Sequence, residues 1–169
     1  IIDATIHRID NPNCGLDTLM KYVKGPDFPT GGIIEGIDGI RQAYETGRGK
    51  IVVKSRYTIE ESKSGKSIVI TEIPFEVNKA LMVKKIDDIR LDKKIDGILE
   101  VRDESASDVR VVIDLKKNAN VELVVNYLLK NTDMQINYNF NIVAIHNKRP
   151  KLLGLKSRIV AMSFCEPRS

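Results

Sequence analysis

Apolar residues in the first part of the chain recur at helical spacing in short bursts, each stopped by proline or glycine. Ile2, Ile6 and Ile9 form the first burst, and Asn11-Pro12 ends it. Leu16, Leu19, Met20 and Val23 predict a second short helix that breaks at Gly25-Pro26. Ile33-Ile34 reads as a short strand. Ile37, Ile40 and Tyr44 then mark one face of a third helix, which Gly47 terminates.

Beyond Gly49 the period changes to two. Ile51, Val53, Tyr57 and Ile59 fall on one side of a single strand over 51–59, with Lys50, Lys54, Arg56 and Thr58 on the other. Ser64-Gly65 supplies a hairpin turn, and Ile68, Val69, Ile70 and Ile73 form the return strand. Asn78 is placed to cap a helix, with Val77 and Met82 as its hydrophobic staple and Met82, Ile86 and Ile89 as its buried stripe. Ile98, Leu99 and Val101 lead to a turn around 105–108, and Val109, Val111, Val112, Ile113 and Leu115 form the partner strand. Asn120 caps a helix whose inner face is Val121, Val124, Val125 and Leu128. Ile136, Tyr138 and Phe140 alternate in a last strand over 135–145, before Ile142-Val143.

From residue 67 the order is strand, helix, strand, strand, helix, strand. That is the βαββαβ, or split βαβ, order, preceded by one extra antiparallel hairpin strand. The expectation is an α+β fold, an antiparallel sheet with helices on one face and further helices at the N-terminus. Three segments follow: a helical one over 1–24, an α+β domain over 25–156, and a tail over 157–169. The tail shows no clear periodicity, is unlike a docking helix, and reads as non-native or disordered.

At 169 residues, 42% apolar and 30% charged, the chain can bury a core and is no disordered polyelectrolyte. No apolar run approaches the roughly 20 residues of a membrane-spanning helix, and the N-terminus lacks the pattern of a signal peptide. Cys14 and Cys165 are far apart and outside any CxxC pair, which points to a reducing compartment. The net charge is only +4, but between residues 48 and 94 twelve Lys or Arg face seven Asp or Glu, a surplus of five. A cationic middle suits a polyanionic partner and also suits an ordinary solvated surface.

Two glycine-rich segments stand out. In Gly25-Pro26-Asp27-Phe28-Pro29-Thr30-Gly31-Gly32 the prolines fix φ and remove donors, while the glycines admit conformations closed to other residues. Ala43-Tyr44-Glu45-Thr46-Gly47-Arg48-Gly49-Lys50 reads as a second glycine turn opening into the cation-bearing strand. Its glycines do not have P-loop spacing. Arg48, Lys50, Lys54 and Arg56 form the best candidate site, since alternate strand positions place cations about 7 Å apart, near two steps of the duplex phosphate repeat. Lys79 joins them from the same cationic segment. Few aromatics interleave, so contact with duplex phosphates fits better than stacking on single strands. The alternative is a solvated outer sheet face.

Other constellations are weaker. His7 and His146 lack partners at metal-ligand spacing. Asp103, Glu104 and Asp108 could hold Mg²⁺, but Arg102 and Arg110 beside them favour local charge pairing. The segment 10–15 has the look of a calcium loop, yet has proline at the third ligand position and no glutamate at the twelfth. Tyr57, on the apolar side of its strand, reads as a core tyrosine.

The two glycine segments, with Thr71-Glu72-Ile73-Pro74-Phe75-Glu76-Val77-Asn78-Lys79, Val101-Arg102-Asp103-Glu104-Ser105, Asn126-Tyr127-Leu128 and Gln135-Ile136-Asn137-Tyr138-Asn139-Phe140-Asn141, carry a family resemblance. From residue 1 to about 156 the chain resembles the A subunits of the bacterial type IIA DNA topoisomerases, DNA gyrase and topoisomerase IV, in the region called the tower. Asn137-Tyr138-Asn139, where gyrase tends to carry Ser-Phe-Gly, makes it look closer to topoisomerase IV. Ala106-Ser107 departs from the family's acidic–basic step, and the likeness is expected to end near Lys156.

The resemblance implies a parent enzyme that is ATP-dependent, cuts both strands of one duplex, passes another through and reseals. It places the catalytic tyrosine on a winged helix preceding the tower, so Arg56-Tyr57 only imitates the catalytic pair. It implies no cofactor in this segment, with Mg²⁺ and ATP used through the B subunit. Its implied partners are double-stranded DNA, the topoisomerase B subunit, plus a second copy of the A chain, with no membrane, in the bacterial cytoplasm at the nucleoid. The segment is expected to be a DNA-binding flank, inactive alone; a structural spacer touching no DNA is the alternative. An unrelated small-ligand enzyme on a split βαβ core would need a polar cleft constellation that the residues do not supply.

Overall fold

The structure is a computed structural model and describes residues 1–146 and 148–163. The elements run α1 (Ile2–Asp10), α2 (Leu16–Tyr22), β1 (Ile33–Glu35), α3 (Ile37–Thr46), β2 (Arg48–Lys54), β3 (Arg56–Ser62), β4 (Gly65–Glu72), α4 (Lys79–Leu91), β5 (Ile98–Asp103), β6 (Val111–Leu115), α5 (Val121–Asn131), β7 (Gln135–Asn141), β8 (Val143–His146), β9 (Arg149–Leu152) and α6 (Leu155–Ser163). The fold is α+β with antiparallel pairings throughout the registers described. The chain forms two compact units, one of 1–27, 36–51 and 137–169, the other of 28–35 and 52–136.

The second unit is built on the sheet β3-β4-β6-β5. Pairing Ile68 with Ile113, Ile70 with Val111, and Ile98 with Leu115 gathers their side chains on one face. Met82, Ile86 and Ile89 of α4 and Val124, Val125 and Leu128 of α5 pack onto that face. Each helix is started by its asparagine: Asn78 accepts from the Leu81 N–H at 3.2 Å, and Asn120 from the Glu122 and Leu123 N–H groups at 3.1 and 3.4 Å. The order βαββαβ is present in the chain. Its last strand, β7, belongs to another sheet, of order β1-β2-β7, and β3 stands beside β4 in its place. A hairpin closes a far shorter loop than a return from residue 135, so the β3–β4 pairing forms at lower entropic cost.

The expected single strand over 51–59 is two strands in two sheets. β2 ends at Lys54 and β3 begins at Arg56. Ser55 between them is fully buried, and its N–H donates to the Met134 carbonyl at 2.7 Å. A register shift follows, pairing Arg56 with Glu72 but Tyr57 with Ile70, so Tyr57 packs against the core. The period-two pattern runs unbroken through Ser55, which is why it conceals the change of sheet.

In the first unit, Ala4, Leu19, Ile40, Ala43, Tyr44, Leu155 and Ile159 are buried. The helical spacing of Ile2, Ile6 and Ile9 gives α1 as expected; they are 77%, 53% and 59% exposed, while Ala4 is buried. Two sequence expectations need correction there. Residues 155–163 form a helix that packs against α1, α2 and α3. Leu155 and Ile159, one turn apart, are buried in it. The last six residues lie outside the described residues. Finally, 135–145 is not one strand. Ile142 interrupts it, donating its N–H to the Gly47 carbonyl at 2.7 Å and accepting from Leu153 at 3.1 Å, and β8 then pairs with β9.

Gly47 caps α3 in the left-handed region at φ 84°, as the second glycine segment predicts. Gly49 has a different role. It lies within β2, and a Cβ there would meet the Gly39 carbonyl oxygen and stand 2.7 Å from the Ala43 Cβ. A Cβ on Gly39 would meet the Lys50 carbonyl oxygen in turn. Helix and strand backbones therefore touch directly at this pair of glycines. Gly49→Ala is expected to destabilise the chain by about 1–3 kcal/mol, the range for overpacking, as read by urea unfolding. An unchanged midpoint would show that α3 can move aside freely.

Candidate nucleic-acid interface

The first glycine segment is tied down by a carboxylate. Gly31 and Gly32 adopt φ of 73° and 102°, and the Gly32 N–H donates to Glu72 Oε2 at 2.7 Å. Arg56 Nε donates to the same oxygen at 3.2 Å. A Cβ on Gly31 would lie 2.6 Å from that carboxylate and would have to adopt φ of 73°, a conformation that favours glycine. Phe28 stacks on Phe75 with ring centroids 5.8 Å apart. The Gly32 N–H holds the Glu72 carboxyl below the usual range, and the Arg56 charge adds to the effect. An internal acid thus occupies the donors that an anion would need.

The five candidate cations separate into two groups. Lys54 Nζ pairs with Glu35 at 2.6 Å, Arg56 with Glu72 at 3.2 Å, and Lys79 with Asp103 at 3.1 Å. Arg48 and Lys50, alternate residues of β2, are exposed, and among the described residues neither side chain makes an ion pair or hydrogen bond. They line one recess with Gln42 of α3 and with Asn139 and Asn141 of β7, over an apolar floor of Val143 and Leu152. Among the described residues no carboxylate lines it. The site takes its shape from the glycine contact. Gly49 faces α3 and Ile51 is buried, so the alternation of β2 turns Arg48 and Lys50 outward.

Sequence reasoning reached Arg48 and Lys50 but missed the carboxamides beside them. The signal was present: Asn137, Asn139 and Asn141 are spaced by two along β7 and exposed, with Tyr138 and Phe140 half-buried between them. It also missed Glu35 and Glu72, which neutralise the rest of the stripe, because pairing across strands is invisible in one-dimensional spacing.

A second recess, on the open face of β3-β4-β6-β5, has the opposite character. Glu60, Glu100, Glu104 and Asp114 line it. Arg102 pairs with Glu104 at 2.8 Å and Asp114 at 3.0 Å, and Arg110 with Glu104 at 3.2 Å and Glu60 at 3.4 Å. Of the acidic cluster, Glu104 is therefore knit to both neighbouring arginines, as the charge-pairing expectation holds, while Asp103 pairs with Lys79. Asp103 accepts from the Ser105 N–H at 3.0 Å, and the Ser105 side chain, then this N–H, with Lys79 behind them, lower its pKa. His7 Nδ1 lies 3.4 Å from the Tyr22 hydroxyl. Among the described residues no group of three His, Cys, Asp or Glu could hold a metal, and no helix is long and apolar enough to cross a membrane.

The α+β scaffold thus presents, among the described residues, two exposed and unpaired cations in a recess without acids. The chain belongs to the family of the DNA gyrase/topoisomerase IV A subunit, whose model matches residues 1–168. The match runs past Lys156, where the resemblance was expected to stop. The chain is similar to the A subunit of DNA topoisomerase 4 from Bacillus subtilis (strain 168), 60% identical over 159 residues, which are 93% of this chain and 20% of the relative. The Staphylococcus epidermidis protein of the same name is 58% identical over 161 residues, 94% of this chain and 20% of that one. The Streptococcus pneumoniae serotype 4 protein is 58% identical over 157 residues, 92% of this chain and 19% of that one. The chain thus spans about a fifth of the length of these relatives.

The latch carries its own pH signature. A carboxyl with a lowered folded pKa stabilises fully above the ordinary glutamate range, and that stabilisation disappears as pH falls through the folded value. Glu72 is partly exposed, so Glu72→Gln is expected to cost on the order of 1 kcal/mol at neutral pH. The gap should close as urea titrations are carried into acid. A gap that persists at low pH would mean that the charge is not what holds the loop.

Proposed function

We propose that this chain is the tower segment of the A subunit of a type II DNA topoisomerase, topoisomerase IV in kind. It binds the backbone of duplex DNA flanking the site of double-strand cleavage. The observation that carries the reading is the pair Arg48 and Lys50, exposed and, among the described residues, unpaired and without a carboxylate in their recess. Phosphate contacts of this kind release counterions and position a duplex without reading its sequence. Backbone contacts there would support a bent duplex, whose elastic cost is of order 1–6 kcal/mol. Strand cleavage and ATP hydrolysis belong in this reading to other parts of the enzyme, with Mg²⁺ and ATP engaged through the B subunit. The segment acts within an A-subunit dimer.

Lys54, Arg56 and Lys79 take a secondary place. A phosphate reaching them must displace Glu35, Glu72 or Asp103. Arg48→Glu with Lys50→Glu, in a full-length A subunit carrying this sequence, is expected to weaken binding to a duplex. The slope of log K against log salt should flatten by about 0.9 for each phosphate that is no longer neutralised. A purely structural spacer would keep both affinity and slope unchanged.

A further inference from the structure

Resting on the backbone-contact reading, we propose that Asn139 and Asn141 are DNA-contacting residues, which donate their carboxamide N–H groups to a backbone phosphate held between β7 and β2. Asparagine is depleted in strands because its side chain competes for backbone hydrogen bonds. β7 nonetheless carries Asn137, Asn139 and Asn141 on one exposed row. Among the described residues no side chain of this row makes a hydrogen bond, so none is explained by capping or by a cross-strand pair. A run of poor strand formers with no internal role is the kind of local conflict that marks a functional surface.

Their placement names the ligand. Asn139 and Asn141 line the same recess as Arg48 and Lys50, and the nearby Gln42 adds a third carboxamide. Cations beside neutral donors, with no acid among the described lining residues, match a phosphodiester: the cations supply charge and the amides supply directed hydrogen bonds. The two rows should differ in one measurable way. An uncharged donor displaces no counterion, so it contributes affinity without contributing to the salt slope.

The test is duplex binding, measured across a salt series with the full-length A subunit. Asn139→Ala with Asn141→Ala is expected to lower affinity about tenfold, as loss of hydrogen bonds to a charged acceptor does, with the slope unchanged. Asn139→Asp with Asn141→Asp, nearly isosteric, should lower it further. Asn137→Ala, on the same row but outside the recess, should bind as the unaltered protein does. Circular dichroism matching the unaltered protein excludes misfolding as the cause. If Arg48→Glu with Lys50→Glu weakens binding and flattens the slope while the asparagine variants bind normally, this inference is overturned and the backbone-contact reading stands. If the cation variants also bind normally, the reading beneath it fails as well.

Discussion

The direct approach of the α3 backbone to β2, at Gly39 and Gly49, is the constraint on which the interface depends. With no Cβ on either residue, helix and strand come closer than any side chain would allow. That contact commits one face of β2 to the interior, where Ile51 Cγ2 lies 3.5 Å from the Cβ position of Gly39. The strand's alternation then leaves Arg48 and Lys50 no choice but the outer face. A glycine that reads as part of a turn is in fact a backbone contact that fixes the strand from which the neighbouring cations project. Pre-placed charges lose less conformational freedom on meeting a phosphate than charges on a loop do.

Charge alone does not select the interface; the distribution of acids does. The chain has many cations, but half-buried Lys54 and Lys79 and exposed Arg56 sit within 2.6 to 3.2 Å of a carboxylate. Exposed pairs of this kind contribute little to stability, of order 0–1 kcal/mol. They do cancel the local field that would attract a polyanion. Glu72 adds a structural duty, since its carboxylate also fastens the Gly31-Gly32 turn. Arg48 and Lys50 keep their field because Gln42, Asn139 and Asn141, which are uncharged, are their polar neighbours in the recess.

The elements themselves were largely legible, because helix caps and apolar periods are local. Asn78 and Asn120 announce their helices, and the stripes Met82, Ile86, Ile89 and Val124, Val125, Leu128 are buried as the 3.6-residue period requires. What escaped depends on partners distant in sequence. The period of two runs straight through Ser55, although the strand there leaves one sheet for another. Ile2, Ile6 and Ile9 mark an apolar stripe without saying what covers it, and the described residues leave it exposed. Half of the candidate site was visible as the spacing of Arg48 and Lys50. The other half, the asparagine row, lies some ninety residues away and is joined to it only by the sheet order β1-β2-β7.

The most direct test is amine-acylation footprinting of the full-length A subunit with and without bound duplex. Each lysine reports its own accessibility, so the experiment separates position from overall charge. The account predicts that duplex strongly protects Lys50, while Lys54 and Lys79, already held by Glu35 and Asp103, change far less. Protection of Lys54 and Lys79 with Lys50 left as reactive as before would contradict it.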